Sequence, residues 1–122
     1  MNWALDKSRP ICPQICSTIC VAIANKEFAV GERLPSVREI ALMAGVNPNT
    51  VQKSLEELDR RGVIHSLRGS GWYVNENIDA AVDEVDQLRK NKTREYLEAM
   101  SQLGCDKEEI NNYLKECKGG IV

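Results

Sequence analysis

Ser36-Val-Arg-Glu-Ile-Ala-Leu-Met-Ala-Gly-Val-Asn-Pro-Asn-Thr-Val-Gln-Lys-Ser-Leu55 is the stretch on which the fold turns. Ser36 is a good N-cap residue, and Glu39 stands three positions later, where a capping box needs it. Val37, Ile40, Ala41 and Ala44 follow at helical spacing up to Gly45, a residue suited to the left-handed turn that ends a helix. Asn47-Pro48 opens a second helix. Asn caps it, and Pro fits the first helical position, where its missing N–H costs nothing. Val51, Leu55 and Leu58 make that helix's apolar stripe, while Asn49, Thr50, Gln52 and Lys53 fall off the stripe at its N-terminal end. Two short helices and a tight corner, with polar and basic groups starting the second helix, read as a helix-turn-helix addressing the major groove of DNA.

Upstream, residues 1–10 hold Trp3, Leu5 and Pro10 among polar groups and read as an ordered arm. A helix follows from about Ile11 to Lys26, with Ile15, Ile19, Ala22 and Ile23 on one buried face, and Gly31-Glu32 reads as a turn. Downstream, Gly62 makes the stop. Val63 to Leu67 and Trp72 to Val74 are β-branched and aromatic, with Arg68-Gly69-Ser70-Gly71 between them, which predicts a β-hairpin. A hairpin after a recognition helix is a wing, here with Arg68 at its tip.

Residues 77–103 change character: Ile78, Val82, Val85, Leu88, Tyr96, Ala99, Met100 and Leu103 recur at three- and four-residue steps, interrupted at Lys92. Gly104 ends this helix or pair of helices. Asp106 caps another with Glu109 at the box position, and Ile110, Tyr113, Leu114 and Cys117 form its apolar face. About forty residues of amphipathic helix cannot bury their faces alone. The simplest partner is a second copy, meeting through Val82, Val85, Leu88, Tyr96, Met100, Leu103, Ile110, Tyr113 and Leu114. The expected architecture is mainly α with a small β-hairpin: a winged helix-turn-helix over 1–76 and a helical dimerisation region over 77–122.

The 122 residues are 43% apolar and 28% charged, ordinary for a soluble globular chain. The net charge of −2 does not by itself point to nucleic acid. Residues 1–76 carry nine basic against eight acidic groups and the remainder seven against ten, so local placement must set any field at a phosphate. No apolar run approaches the ~20 residues that span a bilayer. The first residues lack a signal-peptide layout, so the expected location is the cytoplasm. Five cysteines, an odd number in no disulfide pattern, are expected as thiols. Cys12, Cys16 and Cys20 form a row along the first helix. The row is either the soft edge of an apolar face or a metal or redox sensor, although no nearby His or Cys pair completes a zinc pattern. His65, the only histidine, falls on a predicted strand with no activated nucleophile or carboxylate pair recognisable near it, so no enzyme, cofactor or metal is implied.

Residues from about Pro10 to Val74 resemble the winged-helix domain of GntR-family bacterial transcription regulators. The resemblance rests on Leu34-Pro-Ser-Val-Arg-Glu-Ile-Ala41, Gly45-Val46, Thr50-Val51, Leu55-Glu-Glu-Leu58, Arg61-Gly-Val-Ile64 and Arg68-Gly-Ser-Gly-Trp-Tyr-Val74. Val46-Asn-Pro-Asn-Thr-Val51 and the short helical tail are similar to the YtrA-type subgroup, whose C-terminal region serves dimerisation and whose members often sit beside ABC-transporter genes. The resemblance implies a homodimeric DNA-binding regulator, a repressor on a two-fold-related operator. It also implies that Arg38 contacts DNA, that Asn47 to Lys53 enter the major groove, and that the wing tip Arg68-Gly69 reaches the minor groove. Many relatives carry an arginine where this chain has Pro48, so Asn49, Thr50 and Gln52 must carry more of the recognition. Gln52 can pair two-point with adenine and Lys53 with guanine or phosphate. Ser36 and Thr50 are read equally as helix-start hydroxyls or phosphate contacts. Arg33 reads as a surface charge, and Arg60 and Arg61 as complements to a helix dipole. The competing readings are a sensor gated by the cysteine row and a winged-helix protein-interaction module. A small-molecule effector would have to bind in the dimer interface, since no sequence in the tail spells out a pocket.

Overall fold

Ser36 and Asn47 start helices in the way their side chains require. In the computed structural model, which describes residues 1–117, the Ser36 hydroxyl accepts the Glu39 N–H at 3.1 Å and the Glu39 carboxylate accepts the Ser36 N–H at 2.9 Å, a closed capping box. The helix it opens is Val37–Ala44, ended by Gly45 at φ 68°. Asn47 accepts the Asn49 N–H at 2.8 Å, and Pro48 takes the first position of the next helix, Pro48–Arg60. Numbered in chain order, the elements are α1 (Ile11–Ala24), α2 (Val37–Ala44), α3 (Pro48–Arg60), β1 (Ile64–Leu67), β2 (Gly71–Val74), α4 (Asp79–Gln102) and α5 (Lys107–Glu116). This is the mainly helical fold with one antiparallel hairpin that the sequence predicts. Where one helix or two were open over 77–103, the structure has the single α4.

Contacts divide the chain into two units, Met1–Asp86 and the residues from Gln87 onward. The core of the first is built from Ile15, Ile19 and Ile23 of α1, Ile40 of α2, and Val51, Leu55 and Leu58 of α3. Ile64 and Val74 close it from the hairpin, and Ala81 and Val85 from the start of α4. Each such aliphatic side chain contributes roughly 1.5–3 kcal/mol on burial. The first unit thus runs past Glu76 because the opening turns of α4 are apolar on the side that meets this core. The last five residues of the expected helical region, 118–122, lie outside the described residues.

The N-terminal arm is ordered by specific bonds. Trp3 and Leu5 pack against the core, and the Gln14 amide donates to the carbonyls of Asp6 and Pro10, both at 2.9 Å. The Lys7 ammonium donates to the Gly45 carbonyl at 2.7 Å, which ties the arm to the corner between α2 and α3. The second unit holds the later turns of α4 and all of α5, where Asp106 and Glu109 form a capping box like that of α2. Ile110 is its one buried side chain among the described residues.

Candidate nucleic-acid interface

The periodicity of α3 sorts its side chains. Val51, Ser54, Leu55 and Leu58 are buried, whereas Asn49 and Lys53 are exposed on the opposite side, Gln52 is exposed on one flank and Thr50 is half-buried on the other. Asn47 is exposed and its side-chain oxygen is taken up by the cap, which leaves its amide N–H groups facing solvent. The Ser36 oxygen is likewise engaged in a cap while its hydroxyl proton is free to donate. Backbone and hydroxyl bonds at Ser36 hold the Glu39 carboxyl below its usual range, with nearby Arg33 acting in the same direction.

The cations on and beside α3 and at the wing tip differ in their pairing. Arg60 and Arg61 both bond to Glu57, at 3.2 Å through the Arg60 Nε and 2.7 Å through the Arg61 Nε, and Arg61 also lies 3.9 Å from Glu84. Their charges are spent within the protein. Arg38, Lys53 and Arg68 are exposed, and among the described residues their side chains have no hydrogen-bond or ion-pair partner. Unpaired cations flanking a polar helix start are what a polyanion requires.

The wing is more than a hairpin. β1 and β2 pair in register Ile64↔Val74 to Leu67↔Gly71, leaving Arg68, Gly69 and Ser70 as the loop. The Ser70 N–H donates to the Leu67 carbonyl at 2.9 Å, and Gly69 takes φ 72° at the third position of that turn, where a side chain would be strained. On its other edge β2 pairs with residues 31–34: the Gly31 N–H donates to Val74 and the Leu34 N–H to Trp72, both at 2.8 Å, and the Val74 N–H donates to Glu32 at 2.9 Å. The sequence predicts only a turn at Gly31-Glu32. Three backbone bonds in a stretch without strand periodicity carry no signal in side-chain pattern, apart from the apolar Leu34. The Arg33 guanidinium closes over Gly71, where a Cβ would come within 2.9 Å of its Nε, so the surface charge expected at Arg33 belongs to the wing. At the wing's base His65 bonds to Asn75 and stacks on Tyr73 with ring centres 6.1 Å apart, and the Asn75 amide donates to the Gly62 carbonyl at 2.7 Å. Those contacts give the lone histidine a structural role.

The cysteine row faces inward. Cys16 and Cys20 are buried in the core, and Cys12, half-buried, accepts the Ser54 hydroxyl at 3.1 Å. The Cys16 thiol donates to the Ser54 carbonyl at 3.5 Å, so the row packs α1 against α3. Burial pushes both Cys16 and Cys20 up to about 12. Among the described residues, no group of three or more His, Cys, Asp or Glu is placed to hold a metal ion. An alkylating reagent at pH 8 is expected to label exposed Cys117 while sparing Cys16 and Cys20 until the protein unfolds, as mass spectrometry of the digest would read. Because these thiols ionise at lower pH in the unfolded chain, stability falls as pH climbs from the ordinary thiol value towards 12.

The expected dimerisation residues are distributed unevenly. Val85 is committed to the first unit's own core, its opening-turn position being used within the chain, so its surface is not available to a second copy. Ile110 is buried in the second unit, and Leu88 and Met100 are half-buried. Val82, Tyr96, Leu103, Tyr113 and Leu114 are exposed, Leu103 at 81%. No helix among the described residues is long and apolar enough to cross a membrane.

A recognition helix with its polar start in solvent, a supporting helix across a tight corner, and a wing with a basic tip define a winged helix-turn-helix regulator of the DNA-binding class. The chain belongs to the gntR family of bacterial regulatory proteins, whose model matches residues 14–74. It is 38% identical to the HTH-type transcriptional regulator YhcF of Bacillus subtilis over 94% of this chain and 95% of that one. It is 32% identical to the HTH-type transcriptional repressor YtrA of the same organism, over 93% and 88%. Among solved structures it is similar to a GntR family transcriptional regulator from Listeria monocytogenes, with a TM-score of 0.78 and 34% identity over 92% of this chain and 98% of that one. It is a transcriptional regulator and not an enzyme.

Proposed function

We propose that the protein is a homodimeric repressor that binds a two-fold-related operator, reading bases with the start of α3 and gripping the backbone with Arg38 and the wing. The observation that carries this is the contrast in charge pairing: the cations at the C-terminal end of α3 are satisfied internally, whereas Arg38, Lys53 and Arg68 are exposed and unpaired among the described residues. Gln52 and Asn49 supply two-point donors and acceptors for base edges, Lys53 a charge for guanine or phosphate, and Ser36, Asn47 and Thr50 short donors for phosphate. Gly69 lets the wing tip approach the minor groove without a side chain in the way, with Arg68 beside it. Similarity to a relative named as a repressor supports repression as the outcome.

Dimerisation falls to the helical tail. In the second unit Tyr96, Leu97, Ile110 and Leu114 line a groove of about 550 Å³ together with Lys92 and Lys107. A second copy is the occupant that removes this apolar surface from water and pairs the two recognition helices. Selection of bound duplexes from a random pool is expected to return half-sites about one helical turn apart, ~10 bp centre to centre. Leu114→Glu should sediment as one copy and lose the paired site. A wild-type monomer that binds one half-site at full affinity would overturn the dimeric reading. Arg68→Ala should weaken binding to all duplexes and make the salt slope shallower by about one. An unchanged slope would remove the wing from the contact set.

A further inference from the structure

α2 sends Ile40, Ala41 and Ala44 inward, yet Leu42 stands 84% exposed beside them. Together with Arg38, Ala41, Val46 and Pro48 it lines a concavity of about 330 Å³ at the corner between α2 and α3. Four of its five lining residues are apolar, and the fifth is one of the unpaired cations. Pro48 is the first residue of α3 and adjoins exposed Asn49, so the notch opens at the point where the recognition helix begins.

We propose that this notch reads the C5-methyl group of thymine, so that Leu42 and Pro48 set base preference by apolar contact. The inference rests on the DNA reading above and adds a specificity element to it. Base edges in the major groove present donors and acceptors, and the thymine methyl is their one apolar group. A proline ring has no N–H to offer a base and is stiff, which suits it to van der Waals contact with a methyl and nothing else. Arg38 in its lining fixes the polarity of the occupant: an apolar group carried on a polyanion satisfies the cation and the apolar lining together. The thymine of a duplex is such an occupant. A protein partner would need an apolar tip set beside an acidic group, and it enters the test as an opposing outcome.

Replacing thymine by uracil removes the methyl and leaves every hydrogen-bonding atom in place. In a duplex recovered by selection, each thymine is replaced in turn and its affinity measured for the wild type, Leu42→Ala and Pro48→Ala. At one thymine per half-site, uracil is expected to cost the wild type roughly four- to tenfold, the scale of one buried methyl. Leu42→Ala should bind the thymine and uracil duplexes within twofold of each other. Leu42 is exposed, so this variant should melt like the wild type, and Pro48→Ala gives a second route to the same readout. If every uracil costs the wild type less than twofold while the parent duplex still binds tightly, the notch does not read thymine and the DNA reading survives. A uracil penalty that persists undiminished in both variants also overturns the proposal. So does a Leu42→Ala variant that keeps the uracil penalty but loses repression in cells, which would assign the notch to a protein partner. Should selection enrich no duplex at all, the DNA reading falls and this inference with it.

Discussion

Replacing Gln52 with alanine is expected to lower the ratio of operator to scrambled-duplex affinity roughly five- to 150-fold, the equivalent of ~1–3 kcal/mol for a two-point base contact. The side chain is exposed, and among the described residues it has no hydrogen-bond partner in the free protein, so its removal leaves nothing buried and unsatisfied. The thermal melt should therefore stay within the small range of surface substitutions, about 0.5 kcal/mol. The measurement is a pair of titrations at fixed salt, on the selected operator and on a scrambled sequence of equal length. A side chain that reads bases loses affinity on the first and little on the second. Equal losses on both would reassign Gln52 to the phosphate backbone, leaving Asn49 and Thr50 to discriminate.

Leu55→Ala should do the opposite. Leu55 is fully buried in the core that joins α1, α3 and the hairpin, and a leucine truncated in such a place costs about 2–5 kcal/mol. For a unit of this size that lowers the melting temperature by about 10 °C or more. Operator discrimination by the fraction that remains folded should be intact. The two substitutions lie three residues apart on one helix, so together they fix its rotational phase. A slip of one residue would blur both the clean binding defect at Gln52 and the clean stability defect at Leu55.

The helix-turn-helix was legible because its signals are local and redundant. Ser36 with Glu39, Gly45, and Asn47 with Pro48 each mark a boundary by the bond they make, and the apolar stripes agree with those boundaries. The wing was legible from its glycines and aromatics. Four features were not. The pairing of residues 31–34 with β2 is made by backbone groups, which leave no imprint on side-chain identity. The bond from Lys7 to the Gly45 carbonyl spans 38 positions and has no local pattern to betray it. The apolar row over 77–103 predicts one partner-seeking face, but two of its members, Ile78 and Val85, meet the chain's own core. Periodicity reports that a face will be covered and is silent on what covers it. Of the interface residues, the exposed set on α3 follows from helix phase alone. The notch at Leu42 was missed because an apolar residue between Ala41 and Met43 looks like any other helix filler until its exposure is known.

The hydrogen bonding of β2 limits how far this fold can be treated as interchangeable parts. The strand is held on one edge by β1 and on the other by residues that precede the helix-turn-helix in the chain. A wing transplanted as residues 62–76 alone would arrive with one edge bare, and Gly71 would face whatever side chain replaced Arg33. Chimeras that exchange wings between relatives should therefore exchange residues 31–34 as well, two segments separated by the whole of α2 and α3.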